Sequence, residues 1–224
     1  YFSSVYTTGN NTQPHFPPRT NENLSHIAFF EHSILKALKS MKPKLSTGPD
    51  GIPMFMLKQI KSTIAYPLSL LYTWSIQSGI CPTSFLQTKV IPVYKRKGSR
   101  SLTENYRPIS IGSAIAKVME KMITDRLLAF LQTNHLLSDH QHGFLPSRST
   151  ATQLLTCLND WTKLKAAKQP CHVVYLDFKK AFDSVDHSKL ATKLNSYGIQ
   201  GDLLRWITAY LSNRTQSVNL LSTF

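Results

Sequence analysis

Asp177 stands within Val173-Val174-Tyr175-Leu176-Asp177-Phe178, a single carboxylate in an otherwise apolar run. An ionised carboxylate in such surroundings is costly unless something positive compensates it. At the end of a buried strand it can face a cleft and hold Mg²⁺ through its oxygens, with substrate phosphates and waters completing the octahedron. The competing reading is a helix cap or an ion pair with Lys179 or Lys180. A hydrolytic pair of Asp177 with His187 is disfavoured, because a turn separates the two and no serine or cysteine nucleophile has a matching context. His135, His140 and His142 lack regular helical spacing and a nearby cysteine, and so read as surface or hydrogen-bonded histidines rather than zinc ligands. A second cluster of chemistry-bearing residues is basic: Lys95-Arg96-Lys97-Gly98, a turn, with Arg107 shortly after it.

That turn belongs to a wider asymmetry. The 224 residues carry a formal charge of +14, and the stretch Lys36 to Lys121 holds fourteen Lys or Arg against Asp50, Glu104 and Glu120. Each cation that neutralises a phosphate releases condensed counterions, so a nucleic acid is the natural partner and its binding should weaken steeply with salt. The bland alternative is a solvated basic surface. No run approaches the ~20 apolar residues of a spanning helix, and the first residues lack the order of a signal peptide, which argues against membrane and secretory roles. Cys81, Cys157 and Cys171 are odd in number, widely spaced and without a CxxC pair, which fits an intracellular protein better than a disulfide framework. The chain begins at Tyr1 and ends on an apolar stretch without a terminating signal, so a fragment is expected.

The elements that must position these groups are legible in outline. Residues 1–23, rich in Asn, Thr, Ser and Pro, read as a linker or upstream extension. Helical spacing at Leu24, Ile27, Ala28, Leu35 and Leu38 predicts a helix ended by Pro43. Ser46 to Gly51 is a turn, with Gly48 and Gly51 free to take positive φ. Met54 to Gln77 is helical, interrupted near Pro67 and stopped by Gly79 to Pro82. Lys89–Tyr94 and Tyr106–Ile111 predict a basic-tipped hairpin whose second strand, because of Pro108, must lie at an edge. Ser113 to Gln132 is an amphipathic helix, and Ala151 to Lys168 another, opened by a Thr150/Gln153 capping box. Cys171 to Phe178 reads as a buried strand, Asp186 as the cap of a helix over Ser188–Tyr197, and Leu203–Leu211 and Gln216–Leu221 as a further helix and strand. Trp74, Trp161 and Trp206 lie on helical patterns as core residues. Helices and strands without a strict βαβ rhythm give fold class α+β.

Residues 173–187, VVYLDFKKAFDSVDH, resemble the first palm motif of reverse transcriptases and are similar to that of non-LTR retrotransposon polymerases. STGPDGI at 46–52, the strands at 89–98 and 105–111, and QHGFLPSRST at 141–150 resemble further segments of that family in the family's order. The resemblance implies a right-hand polymerase: a fingers-like region over 24–170 and the first part of a palm over 171–224, with a small antiparallel sheet. It makes Asp177 a catalytic metal ligand, joined by the backbone carbonyl of Phe178, and puts Phe182 under the incoming sugar. An aromatic ring there would exclude a 2′-hydroxyl by overlap; the alternative is a core phenylalanine. Lys95 or Lys97 with Arg107 would clamp the triphosphate, while Arg96, Gln141 and Arg148 would contact nucleic acid.

The implied reaction is RNA-directed DNA synthesis with Mg²⁺, an RNA template, a DNA primer and deoxynucleoside triphosphates. Two-metal transfer needs carboxylates on both sides of the ion pair, and the family's paired Asp-Asp does not occur in these 224 residues. The chain is therefore expected to be inactive alone, the alternative being a non-enzymatic RNA-binding remnant. A cytoplasmic or nuclear location is expected, and no sequence feature bears on oligomeric state.

Overall fold

Residues 14–178 and 181–218 are described by the computed structural model. Four helices supply most of its core because their apolar residues recur on one face. Helix α1 (Glu31–Ser40) buries Ile34, Ala37 and Leu38. A short α2 (Met54–Gln59) adds Met54 and Leu57, and α3 (Lys61–Ser78) contributes Ala65, Leu68, Tyr72 and Ile76. After α4 (Thr83–Leu86) and the sheet, α5 (Ala114–Thr133) turns Val118, Met119, Met122 and Ile123 inward. Each fully buried Ile, Leu or Met is worth about 1.5–3 kcal/mol.

Two later helices close the core. Helix α7 (His187–Ser196) precedes α8 (Gly201–Leu211), which inserts Leu203 and Trp206 against α3. The Trp206 indole N–H donates to Ser75 Oγ at 2.8 Å, and Ser75 donates to the Ile80 carbonyl at 2.6 Å. Tyr72 donates to the Ile115 carbonyl at 2.7 Å. These bonds let polar atoms enter the core without the penalty of an unmade hydrogen bond. At the far end of α8, Tyr210 stacks on Trp206, donates to Glu120 Oε1 at 2.6 Å and lies under the Arg214 guanidinium.

Strand β1 (Gln87–Tyr94) runs antiparallel to β2 (Tyr106–Gly112), and Pro92 faces Pro108. As expected, β2 is an edge strand, where the missing N–H of Pro108 costs least. On its other side β1 pairs in parallel with β3 (Thr215–Val218) over Gln87–Val90. The α+β class holds, but the sheet is mixed rather than antiparallel, because the chain comes back to β1 as β3 only after the long helical crossover that follows β2.

Other expectations are corrected. Leu24 does not start a helix: its N–H bonds the Gly198 carbonyl and its carbonyl accepts from Gln200, so α1 begins only after Phe30. The break between α2 and α3 falls at Ile60, and Pro67 sits inside α3 on its exposed side, where the carbonyl it cannot serve meets water. Gly51 takes positive φ, but Gly48 is needed for a different reason, its close approach to Gly112. The cap of α6 (Thr150–Ala166) is Ser149 with Thr152, one residue before the expected box. Trp206 is core, whereas Trp74 is about half exposed. The expected strand over 171–178 is neither a strand nor buried: Val174, Tyr175, Leu176 and Phe178 are each at least 79% exposed. A strand forms only where another edge takes up its N–H and C=O groups, and no described residue does so here.

Candidate functional site

The basic hairpin is built locally. Lys95 N–H bonds the Asn105 carbonyl at 2.8 Å, extending the ladder one step beyond β1. Arg96 and Gly98 take positive φ to reverse the chain. The Tyr94 hydroxyl donates to the Gly98 carbonyl, Tyr106 donates to Arg100 O at 2.9 Å, and Asn105 Nδ2 donates to Ser99 O at 2.7 Å. Tyr94 also packs on Tyr106 and carries the Arg100 guanidinium over its ring. None of these supporting contacts was anticipated from sequence; the Tyr94/Tyr106 pair is the signal that could have indicated them, since residues opposite each other across a hairpin share a face.

That register decides which cations meet. Arg107 faces Val93, and Val93 and Lys95 lie two residues apart on the same side of the strand, so Lys95 and Arg107 are diagonal neighbours on one face. Lys95 Nζ also donates to Glu104 O at 2.6 Å, which fixes the ammonium near the turn. Arg96 and Lys97 project from the exposed tip.

A second contact joins the 141–148 segment to Phe182. Phe144, at positive φ, meets Phe182 edge to face with 6.0 Å between ring centres, and both rings are largely exposed. Phe182 is thus not a core residue. Arg148 Nη1 donates to the Asp139 carbonyl at 3.0 Å and Gln141 Nε2 to the Gly143 carbonyl at 3.0 Å, so both shape their own loop. His142 is buried and hydrogen-bonded to Thr152 Oγ1 at 2.9 Å. Asp186 caps α7 as expected: Oδ1 accepts from Ser188 N–H at 2.9 Å and Lys189 N–H at 3.1 Å. Those bonds, led by the one from the Ser188 hydroxyl, hold its carboxyl below the usual range.

Asp177 is exposed and has no hydrogen bond or ion pair with any described residue. Lys179 and Lys180, the alternative partners, lie outside the described residues. Carboxylate and backbone carbonyl oxygens suit Mg²⁺, which commonly takes one or two carboxylates and keeps several waters. Among the described residues no group of three His, Cys, Asp or Glu side chains surrounds a common point. Nor does a hydrogen bond or ion pair among them link Asp177 to Lys95, Lys97 or Arg107. The register therefore puts Lys95 and Arg107 on one face of the hairpin, a ring contact joins Phe144 to Phe182, and no such bond among the described residues connects the two groups.

Comparison with known proteins is consistent across the chain. Residues 94–223 match the family model described as reverse transcriptase (RNA-dependent DNA polymerase). A probable RNA-directed DNA polymerase from transposon BS of Drosophila melanogaster is 27% identical over 197 residues, 85% of this chain and 21% of its own length. One from transposon X-element of the same fly is 29% identical over 175 residues, 78% of this chain and 19% of its own. The Pol polyprotein of retrotransposable element R2 from Popillia japonica is 25% identical over 185 residues, 82% and 24% respectively. The chain thus spans about a fifth of the length of these relatives.

Proposed function

Because the chain belongs to the reverse transcriptase (RNA-dependent DNA polymerase) family, in its non-LTR retrotransposon branch, we propose that it supplies the fingers hairpin and first acidic motif of an RNA-directed DNA polymerase. The observation that carries this reading is Asp177, a carboxylate at the end of an apolar run, exposed and unclaimed by any described side chain. In this reading residues 24–170 act as fingers and 171–224 as the first part of a palm, with 1–23 an extension. The working partners are an RNA template, a DNA primer and deoxynucleoside triphosphates, in the cytoplasm or nucleus.

Asp177 and the Phe178 carbonyl would hold Mg²⁺, which when bound supplies positive charge against the phosphates and the reacting oxygens. Arg107 offers the triphosphate a planar two-toothed contact, and Lys95 or Lys97 a compact charge beside it. Pyrophosphate leaves with developing negative charge, so cations already in place stabilise that charge more than the ground state. Phe182, braced by Phe144, fills the volume a 2′-hydroxyl would need. Arg96, Gln141 and Arg148 lie along the template and primer. No adjacent aspartates occur in these residues, so we expect them not to extend a primer alone. The second reading is an RNA-binding remnant, in which the basic hairpin contacts nucleic acid without catalysis.

The test is primer extension on an RNA template by the intact protein that carries this sequence. Asp177→Ala should lower kcat by about a hundred- to a thousandfold, the range seen when a transition-state charge partner is removed, while primer–template affinity changes little. Phe182→Ala should narrow the preference for deoxy- over ribonucleotides by about tenfold or more. Extension unaffected by Asp177→Ala would sink the catalytic reading, and retained RNA binding without extension in the wild type would favour the remnant.

A further inference from the structure

Residues 95–104, between β1 and β2, are exposed at every position, and 95–102 belong to no helix or strand. Ser99 stands in the middle of this loop, with Arg96 three residues before it, Lys97 two before and Arg100 directly after. No other serine or threonine of the chain has Lys or Arg at both −3 and −2. Thr103, Ser110, Thr208 and Ser217 each follow an arginine by three residues. They lie within the 3₁₀ turn Thr103–Asn105, β2, α8 and β3, where the element's own hydrogen bonds hold the backbone. Ser99 Oγ lies 2.7 Å from Ser101 Oγ and accepts from Ser101 N–H at 3.3 Å, both in exposed residues. Side-chain bonds from Tyr94 to Gly98 O, Asn105 to Ser99 O and Tyr106 to Arg100 O tie the loop to the hairpin. Water can replace all three without uncovering any core residue.

Cations at two fixed offsets before an exposed hydroxyl are what a protein kinase reads when its substrate cleft carries carboxylates. Two charge-assisted contacts then set the hydroxyl against the γ-phosphate of ATP. We propose that Ser99 is the phosphate acceptor of a protein kinase selective for basic sequences, and that the phosphate silences the cations of the hairpin. In the transfer, Ser99 Oγ attacks the γ-phosphorus of ATP and the bond from that phosphorus to the bridging oxygen breaks. ADP leaves with the electron pair, and the hydroxyl proton passes to the kinase's carboxylate base. Lys95, Arg96, Lys97 and Arg100 against Glu104 give the loop a formal charge of +3. A phosphate of about −2 cancels most of it and offers three acceptor oxygens to the same cations. The silencing rests on the triphosphate contacts proposed above, whereas the acceptor site does not.

Incubation of the full chain with ATP and the catalytic subunit of cyclic-AMP-dependent protein kinase, which selects basic residues at −3 and −2, tests the site. Tandem mass spectrometry should place the phosphate on Ser99, and Ser99→Ala should lose nearly all incorporation. Arg96→Gln/Lys97→Gln should lower kcat/KM for phosphorylation by about tenfold or more, since both charged contacts are gone. Lys163→Gln/Lys165→Gln, the same change of net charge on α6, should alter it by less than about twofold. Titration with inorganic tripolyphosphate tests the silencing: the phosphorylated chain should bind about fivefold more weakly than the untreated one. Kinase-treated Ser99→Ala should bind it like the untreated wild type. Phosphate on Thr103, Ser110, Thr208 or Ser217 in place of Ser99, or incorporation indifferent to Arg96→Gln/Lys97→Gln, overturns the site. Phosphate on Ser99 with unchanged tripolyphosphate affinity overturns the silencing. If Arg107→Ala leaves tripolyphosphate binding by the unmodified chain intact, the triphosphate reading fails, and the silencing with it, while labelling at Ser99 stands.

Discussion

Replacing Gly48 with alanine isolates a steric effect that the sequence alone misattributes. A Cβ built there would lie 2.6 Å from the Gly112 carbonyl oxygen, 2.7 Å from its carbon and 2.9 Å from Ser113 N. Ordinary contact begins near 3.4 Å, so the 46–51 turn and the β2–α5 junction must part by about 0.8 Å. All three atoms are backbone, so no side chain can swing aside. Overpacking of this kind costs about 1–3 kcal/mol, and we expect the upper end, near 3 kcal/mol. For a chain of this size that lowers Tm by about 6–12 °C. Gly51 is the matched control: a Cβ there meets nothing within 4 Å, and only its φ of +70° opposes substitution, at about 1–2 kcal/mol. Urea unfolding of both variants measures the difference. If Gly51→Ala proves as damaging as Gly48→Ala, conformational freedom rather than close approach governs the turn, and the reasoning fails.

Tyr210→Phe should cost about 1.5–3 kcal/mol, because it deletes a hydrogen bond to the half-buried Glu120 carboxylate and leaves that charge without its donor; a change under 0.5 kcal/mol by urea unfolding would contradict this. Burial pushes the Cys81 thiol up to about 11. A raised pKa means the folded state keeps its proton longer than the unfolded one, so this contribution is complete below the unfolded value of about 8.5 and is lost as pH rises through about 11. The urea midpoint should therefore fall between pH 8.5 and 11 less steeply in Cys81→Ala than in the wild type. Thiol labelling at pH 8 should modify exposed Cys171 within minutes and buried Cys81 only on unfolding.

What the sequence made legible was local. The α5 helix, the β1–β2 hairpin, the Gly79 stop and the Asp186 cap each rest on residues within a few positions of one another, and all four stand in the structure. What it concealed was tertiary. The parallel docking of β3 on β1 joins residues more than 120 positions apart, and helical spacing at Leu24 and Ile27 comes from packing by an extended segment. The run 171–178 misleads because β-branched and aromatic residues report what fits a sheet, not whether one is present. For the candidate site, residue types and order were readable, but that Lys95 and Arg107 share a face follows only from strand register. The Phe144–Phe182 contact depends on loop geometry that no periodicity encodes.

The pairing of Leu24 with Ile199, reinforced by the Arg19 N–H bond to the Ser196 carbonyl and the Leu203 N–H bond to Ser25, has a temporal consequence. A ribosome makes residue 24 long before residue 199, so Leu24 must wait for this partner until residues 196–203 have emerged. Helices α1 to α5 can gather meanwhile, but Leu24 gains its bridge partner only late. Translation speed, and any chaperone that shields that waiting stretch, should therefore bear on the yield of native protein.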